Sequence, residues 1–164
     1  MADYHVNTDI VHEHPENYKV ALSENKVFAH GKCKHCLDKI KPEDRVFVYH
    51  NKVGFIGFGI AINSAQNGAH KPGEEDFRFV EIKFTCKENP NSVPLQGVNI
   101  NYRVRGTCWR IRKTGIADTL AALLKQMFPS VTSLNQSQSP PISNTLATMQ
   151  VDTASKPPII SVLP

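Results

Sequence analysis

The residues with the greatest potential for chemistry lie in one short segment, His30 to Cys36, which reads HGKCKHC. Cys33 and Cys36 have the CxxC spacing with which two thiolates can bind one Zn²⁺ from a tight turn. A structural zinc site would need two more ligands, which His30, or the distant Cys86 and Cys108, could supply. In the alternative that we favour, Cys33 and Cys36 are loop thiols without a metal, and the other two cysteines are small core side chains. We therefore expect no cofactor.

The sequence gives little support for catalytic chemistry. GFIGFG, residues 54–59, is similar to a phosphate-binding loop but lies inside a strand pattern and has no helix after it. A cysteine nucleophile paired with one of the seven histidines would need a third, orienting residue, and none can be named. The CxxC pair also lacks the βαβ context of a thioredoxin-like redox site. We therefore expect a protein that is not an enzyme.

Nucleic-acid binding is another kind of chemistry that the sequence permits. Lysines and arginines neutralise phosphates, and aromatic faces stack on unpaired or flipped bases. Trp109 could serve as such a stacking surface, or it could equally belong to the core. The residues of both kinds are Lys32, Lys34, Lys39, Lys41, Arg103, Arg105, Arg110 and Arg112, together with Phe28, Tyr49, Phe55, Tyr102 and Trp109.

The size and charge of the chain permit a nucleic-acid partner without requiring one. The 164 residues are enough for one domain with its own core, and the formal charge is +4. No apolar run is long enough to cross a bilayer, and Asp3, His5 and Asp9 interrupt any signal-peptide pattern. We therefore expect a cytoplasmic protein without a membrane partner, whose four cysteines stay reduced.

The best-defined element is a β-hairpin over residues 39–61, KIKPEDRVFVYHNKVGFIGFGIA. A proline presets the first turn, and the residues after it alternate as a strand does. On the return strand we expect Ile56 and Phe58 to share one face. Gly57 and Gly59 lie on the other face, which indicates a sharp bend of the sheet or the close approach of another backbone or a ligand.

Outside the hairpin, alternation and helical spacing predict a few more elements. Phe77–Cys86 alternates as a half-buried strand, and residues 115–128 carry an apolar helical face. Residues 129–164 are rich in proline and serine, so we expect them to form a disordered tail beside one domain, residues 1–128. Further predictions are strands over Tyr4–Ile10 and Asn101–Lys113, a helical turn over Glu16–Leu22 and a surface loop over Asn63–Asp76.

Four stretches, taken in order, resemble the PUA-like superfamily and, within it, the EVE domain, a relative of the YTH domain. They are YHVNTD, LDKIKPEDRVFVYHNKVGFIGFGIA, FRFVEIKF and RGTCWRIRKTGIADTL. The K-x-G-D-R-V turn typical of EVE domains is similar to residues 41–46, where Glu43 replaces the usual glycine, and the G-I-V-G strand is similar to residues 54–57. The tryptophan that often helps line an EVE pocket has no clear equivalent. The resemblance covers residues 3–125.

This resemblance implies an α+β fold, with a strongly curved, partly closed PUA-like β-barrel flanked by short helices. It also implies a pocket for a modified base between the barrel and the basic stretch before the hairpin. Phe28 would stack on the base, and Asn7, Thr8 and His30 would read its edges by hydrogen bonds. The implied pocket residues are Asn7, Thr8, Phe28, His30, Tyr49 and His50, and the phosphate-binding candidates are Lys32, Lys34, Arg103 and Arg105.

We therefore expect a non-catalytic module that binds DNA or RNA and recognises a modified base, in a bacterial or phage defence setting by family analogy. One alternative is a protein-interaction scaffold, in which the proline-rich tail binds a partner protein and the barrel is only a support. Another is a small zinc protein that uses the HGKCKHC segment. Salt-sensitive affinity for oligonucleotides would favour the first, and stoichiometric zinc would favour the last.

Overall fold

The structure, a computed structural model, describes residues 1–8, 16–68, 77–104, 106–113 and 115–129. Nearly all of the predicted tail therefore lies outside the described residues. The strands are β1 (Asp3–Asn7), β2 (Lys26–Ala29), β3 (Arg45–His50), β4 (Gly54–Ala61), β5 (Gln66–Gly68), β6 (Phe77–Lys87) and β7 (Cys108–Arg110). The helices are α1 (Asn17–Ser23), α2 (Ile116–Met127) and a 3₁₀ helix, Gly31–Lys39, which we call the 3₁₀ segment.

The seven strands form one strongly curved sheet, an open half-barrel, in the order β2-β6-β4-β3-β1-β7, with β5 paired to β6. Strands β1 and β3 are parallel, and the other pairs are antiparallel. The sheet therefore ends at β2 on one side and at β7 on the other. The 3₁₀ segment contacts β2 and β6 as well as β7, so it lies between the two edges. The expected α+β architecture with a strongly curved sheet is confirmed.

The central hairpin is confirmed, with β3 and β4 antiparallel from Arg45 opposite Ile60 to His50 opposite Gly54. Its register shifts between Val48 and Tyr49, so β4 contains one extra residue, Ile56, which makes a β-bulge. Because of this bulge, Ile56 and Phe58 pack into different cores. Our expectation that these two side chains share a face was wrong.

The pairing of β4 with β6 is irregular at one point. A second register shift falls between Phe58 and Gly59, which pair with Cys86 and Phe84. A Cβ atom on Gly59 would lie only 2.3 Å from the carbonyl oxygen of Lys83. The alternating glycines thus permit the close approach of the β6 backbone, one of the alternatives that the sequence left open.

Two cores lie on the two faces of the sheet. On one face, Val46 and Val48 pack with Leu22 of α1 and Leu37 of the 3₁₀ segment. On the other face, α2 covers an aromatic cluster that includes Phe47, Phe55 and Phe58 together with Leu120 and Leu124. Neither α1 nor α2, nor any other helix among the described residues, has the length and apolar character that a membrane span requires.

Sequence periodicity predicted some elements better than others. The strand predicted over Phe77–Cys86 and the helix predicted over 115–128 are both confirmed to within one residue. The final strand predicted over Asn101–Lys113 is much shorter in the structure, because residues 101–104 are irregular and β7 contains only Cys108–Arg110. Strand β1 ends at Asn7, and β5 forms within the predicted surface loop. Neither β2 nor the 3₁₀ segment was predicted from the sequence.

The turn before β3 contains a strained residue. Asp44 N donates a hydrogen bond to Lys41 O at 3.1 Å, and Glu43 has a φ of 71°. This bond and a positive φ at the third position are the pattern of a type II turn, in which glycine is preferred at that position. The glutamate therefore occupies a backbone conformation that costs a residue with a Cβ atom about 1 to 2 kcal/mol.

Replacing Glu43 with glycine should stabilise the domain by roughly 0.5 to 1 kcal/mol. The relief of strain exceeds the extra entropy that glycine adds to the unfolded chain. Urea unfolding of both proteins would measure this difference. Glu24→Gly is the matched control, because Glu24 is exposed and has a φ of −90°, so that variant should lose stability. Equal losses in both variants would contradict the argument.

Candidate nucleic-acid interface

Four of the predicted pocket residues come together where the parallel strands β1 and β3 end. Thr8 donates to Tyr49 O from its backbone N at 2.9 Å and from its hydroxyl at 3.1 Å. The Thr8 hydroxyl also lies 3.3 Å from His50 Nδ1, and Asn7 Nδ2 donates to Asn51 Oδ1 at 3.1 Å. This polar group, which we call the β1–β3 cluster, is tied together by its own hydrogen bonds.

The β1–β3 cluster is only partly open to a ligand. Asn7 and Thr8 are each 8% exposed, whereas Tyr49 and His50 are half-buried. The His50 ring packs against Tyr18 of α1, with 4.9 Å between ring centroids. A base at this place would meet the edges of the histidine and tyrosine before it met the amide and the hydroxyl.

The other two predicted pocket residues belong to a separate aromatic group on β2 and β6. The Phe28 ring centroid lies 5.4 Å from that of His30 and 6.3 Å from that of Phe77. His30 is exposed, whereas Phe28 is half-buried against its neighbours. The six pocket candidates therefore form two separate groups. In the order of the sheet, β6, β4 and β3 lie between β2, which contains Phe28, and β1, which contains Asn7.

The phosphate-binding candidates lie on the 3₁₀ segment and before β7. Lys32 is exposed and Lys34 is half-buried, both on the 3₁₀ segment, and Arg103 is exposed in the irregular stretch before β7. Arg105 lies outside the described residues. The sequence also pointed to Arg110 and Arg112, and both are exposed, as is the neighbouring Lys113. Positive charge is therefore concentrated on β7, on the residues beside it and on the 3₁₀ segment that contacts it.

Trp109 on β7 is 56% exposed, so it is not a core residue. Among the phenylalanine, tyrosine and tryptophan side chains that the structure describes, it is the only one that is exposed. Its position depends on Gly106, where a Cβ atom would lie 2.6 Å from the indole nitrogen Nε1, and which has a φ of 59°. Sequence reasoning missed this role of Gly106, and the only available signal was the Gly-Thr-Cys-Trp order before the strand.

The residue beside Trp109 on the neighbouring strand β1 is buried and hydrogen-bonded. His5 pairs with Trp109 across β1 and β7, and it is only 1% exposed. Its Nδ1 atom shares a hydrogen bond of 3.1 Å with the hydroxyl of Tyr102. Strand β7 is therefore held against a rigid neighbour, although it forms the edge of the sheet.

The four cysteines occupy three different environments. Cys33 is exposed, Cys36 is half-buried against the core that contains the buried Cys108, and burial raises the pKa of the Cys86 thiol to about 11. Because the 3₁₀ segment contacts β7, Cys36 and Cys108 lie at the same junction of the fold, which the CxxC motif did not indicate. In the part of the chain that the structure describes, no three histidine, cysteine, aspartate or glutamate side chains form a group that could hold a metal ion.

Comparisons with known proteins give structural similarities only. No protein-family model and no curated protein matches the sequence. A crystal structure of a protein from Pseudomonas syringae matches with a TM-score of 0.33 and 13% identity, over 51% of this chain and 68% of that one. An NMR structure of a protein from Rhodopseudomonas palustris matches with a TM-score of 0.33 and 18% identity, over 52% of this chain and 63% of that one. Both are structural-genomics targets.

Proposed function

We propose that this chain is a non-catalytic nucleic-acid-binding module of the PUA-like, EVE-type class, which recognises a modified base. The observation that carries the proposal is Trp109, a large aromatic side chain that is 56% exposed on an edge strand among exposed arginines. Leaving an indole in water is unfavourable, and stable soluble proteins usually bury it or use it to bind a partner.

The chemistry around Trp109 favours a nucleic acid over an uncharged partner. Arg110 is the last residue of β7, Arg112 follows the strand, and Arg103 precedes it. Guanidinium groups bind phosphate oxygens in a bidentate manner, and an indole face stacks on any base. We therefore expect the arginines to bind the phosphate groups of the nucleic acid while one unpaired or flipped base stacks on Trp109.

Two further observations support the EVE-type assignment. The sheet is strongly curved, and Glu43 has a positive φ at the position where EVE domains have glycine. In this proposal, the β1–β3 cluster and the aromatic group around Phe28 are the two candidate places for the modified base. The 3₁₀ segment, with Lys32 and Lys34, supplies additional phosphate contacts.

Trp109→Ala should weaken binding to short single-stranded oligonucleotides about 5- to 150-fold, because stacking contributes roughly 1 to 3 kcal/mol per base. Fluorescence anisotropy with labelled oligonucleotides, with and without modified cytosines or adenines, would measure the affinity at several salt concentrations. Trp109 is also the only tryptophan, so quenching of its fluorescence reports directly on stacking in the unaltered protein. Trp109→Phe should retain part of the affinity because it keeps an aromatic face.

Two control variants separate the proposed contacts. Lys83→Gln removes an exposed charge from β6 and should change affinity much less than Trp109→Ala. Phe28→Ala should abolish any preference for a modified strand if the base lies against β2, and it should leave that preference intact if the base lies at the β1–β3 cluster. An absence of salt-sensitive binding to any oligonucleotide would refute the proposed function. The protein-interaction scaffold would then become the leading hypothesis.

A further inference from the structure

Cys36 and Cys108 meet at the junction between the 3₁₀ segment and the edge strand β7. Cys108 is 6% exposed and belongs to the core that the 3₁₀ segment covers, and Cys36 packs against that core. The 3₁₀ segment contacts β7, and Cys36 is the cysteine of this segment that packs against the core to which Cys108 belongs. The junction is reinforced by Tyr4, whose hydroxyl donates to Lys39 O at 3.0 Å.

The two thiols are chemically unequal. The interaction with Cys108 lowers the pKa of Cys36, and the ammonium group of Lys39 lowers it further. The same interaction, together with burial, raises the pKa of Cys108. Cys36 therefore has the lower pKa of the two thiols, and it is also the more exposed of the two.

We propose that Cys36 and Cys108 form a redox-responsive pair, in which a hydroperoxide converts the two thiols into a disulfide that fixes the 3₁₀ segment to β7. The Cys36 thiolate attacks one oxygen of the hydroperoxide, the O–O bond breaks, and the leaving oxygen departs as hydroxide or alkoxide. Cys108 then attacks the sulfur of the resulting Cys36 sulfenic acid, an S–S bond forms, and water leaves. Two electrons pass from the thiols to the peroxide.

Oxidation would attach the 3₁₀ segment covalently to the edge of the sheet and raise the stability of the domain. The 3₁₀ segment lies between the two edges of the sheet and contacts both of them. A disulfide from this segment to β7 would close a loop of roughly seventy residues, a length at which a cross-link restricts the unfolded chain strongly. The oxidised domain should therefore melt at a higher temperature, by roughly 5 to 20 °C. This inference does not depend on the proposed function.

The test is peptide mapping of the whole protein after treatment with hydrogen peroxide at a small molar excess. We expect a Cys36–Cys108 disulfide, a rise in Tm and full reversal of both by dithiothreitol. Cys33→Ser should behave in the same way as the unaltered protein, whereas Cys36→Ser should show neither the disulfide nor the rise in Tm. Cys36→Ser changes a half-buried side chain and leaves the buried Cys108 in place, so this variant should fold.

The competing product is a disulfide between Cys33 and Cys36, because residues three apart in a 3₁₀ helix lie on the same side. Recovery of that product, of a disulfide between two molecules, or of Cys36 sulfinic acid without a bond to Cys108 would overturn the proposal. An oxidised protein with unchanged Tm and four free thiols would overturn it as well.

Discussion

Gly59→Ala is expected to cost the domain about 3 kcal/mol, the upper part of the usual range for overpacking a core. The added methyl group would lie 2.3 Å from the backbone oxygen of Lys83, 2.6 Å from a side-chain carbon of Ile82 and 2.7 Å from the backbone Cα of Phe84. Two of these three contacts are with backbone atoms of β6, which cannot move away as the end of a side chain can. Strand β6 would have to separate from β4 beside the register shift between Phe58 and Gly59.

Urea unfolding, followed by far-UV circular dichroism, would measure the loss for Gly59→Ala. Gly31→Ala is the matched control, because Gly31 has a φ of 56° and no heavy atom within 4 Å of the added methyl group. That variant should lose only about 1 to 2 kcal/mol, the cost of the backbone conformation alone. A loss below about 1 kcal/mol for Gly59→Ala would mean that the contact with β6 is not what requires glycine at position 59, because Gly59 is not in the left-handed region.

The elements that could be predicted from the sequence are those whose pattern is local. Strand β6 alternates in the sequence and alternates in the structure until the bulge, and α2 has one continuous apolar face. The extra residue Ile56 could not be predicted, because a bulge depends on the register of the partner strand and not on the strand's own alternation. One shifted residue was enough to move Phe58 to the opposite core.

The 3₁₀ segment was harder to predict for a different reason. Its sequence, GKCKHCLDK, contains a single large aliphatic residue, Leu37, so it has neither helical nor alternating periodicity. What stabilises it is tertiary contact, with Leu37 fully buried and Arg78 of β6 paired to Asp38 at 2.5 Å. Sequence reasoning identified its charge and its cysteines correctly but could not assign its conformation.

The candidate site was partly predictable. Asn7 and Thr8 were expected beside Tyr49 and His50, and the parallel pairing of β1 with β3 brings them together. The exposure of Trp109 could not be predicted, because alternation shows which residues of a strand share a face but not whether that face is covered. It depends on the short length of β7 and on the contact with Gly106, and neither feature can be read from alternation.

The other large effect that we expect comes from Asp44, which is 6% exposed and ends the turn before β3. Its carboxylate accepts two backbone hydrogen bonds, from Ala2 N to Oδ1 at 2.6 Å and from Lys41 N to Oδ2 at 2.9 Å. These bonds connect the N-terminal strand to the hairpin turn. Asp44→Ala should therefore destabilise the domain by about 3 kcal/mol, because hydrogen bonds to a charged group contribute roughly 1.5 to 3 kcal/mol each.

A graded series would separate this connection from a general effect of charge. Asp44→Asn keeps one oxygen acceptor but turns an NH₂ group toward the other backbone N–H, so it should lose about half as much stability as Asp44→Ala. Asp118→Ala removes a carboxylate whose side chain is 73% exposed and whose ion pair with Arg45 lies near the surface, so it should lose less than about 1 kcal/mol. Equal losses for Asp44→Ala and Asp118→Ala would show that charge, and not the two buried bonds, determines the effect. Losses that fall in the order Asp44→Ala, Asp44→Asn and Asp118→Ala would mean that the two buried hydrogen bonds of this carboxylate, and not its charge alone, stabilise the junction between the N-terminus and the hairpin turn.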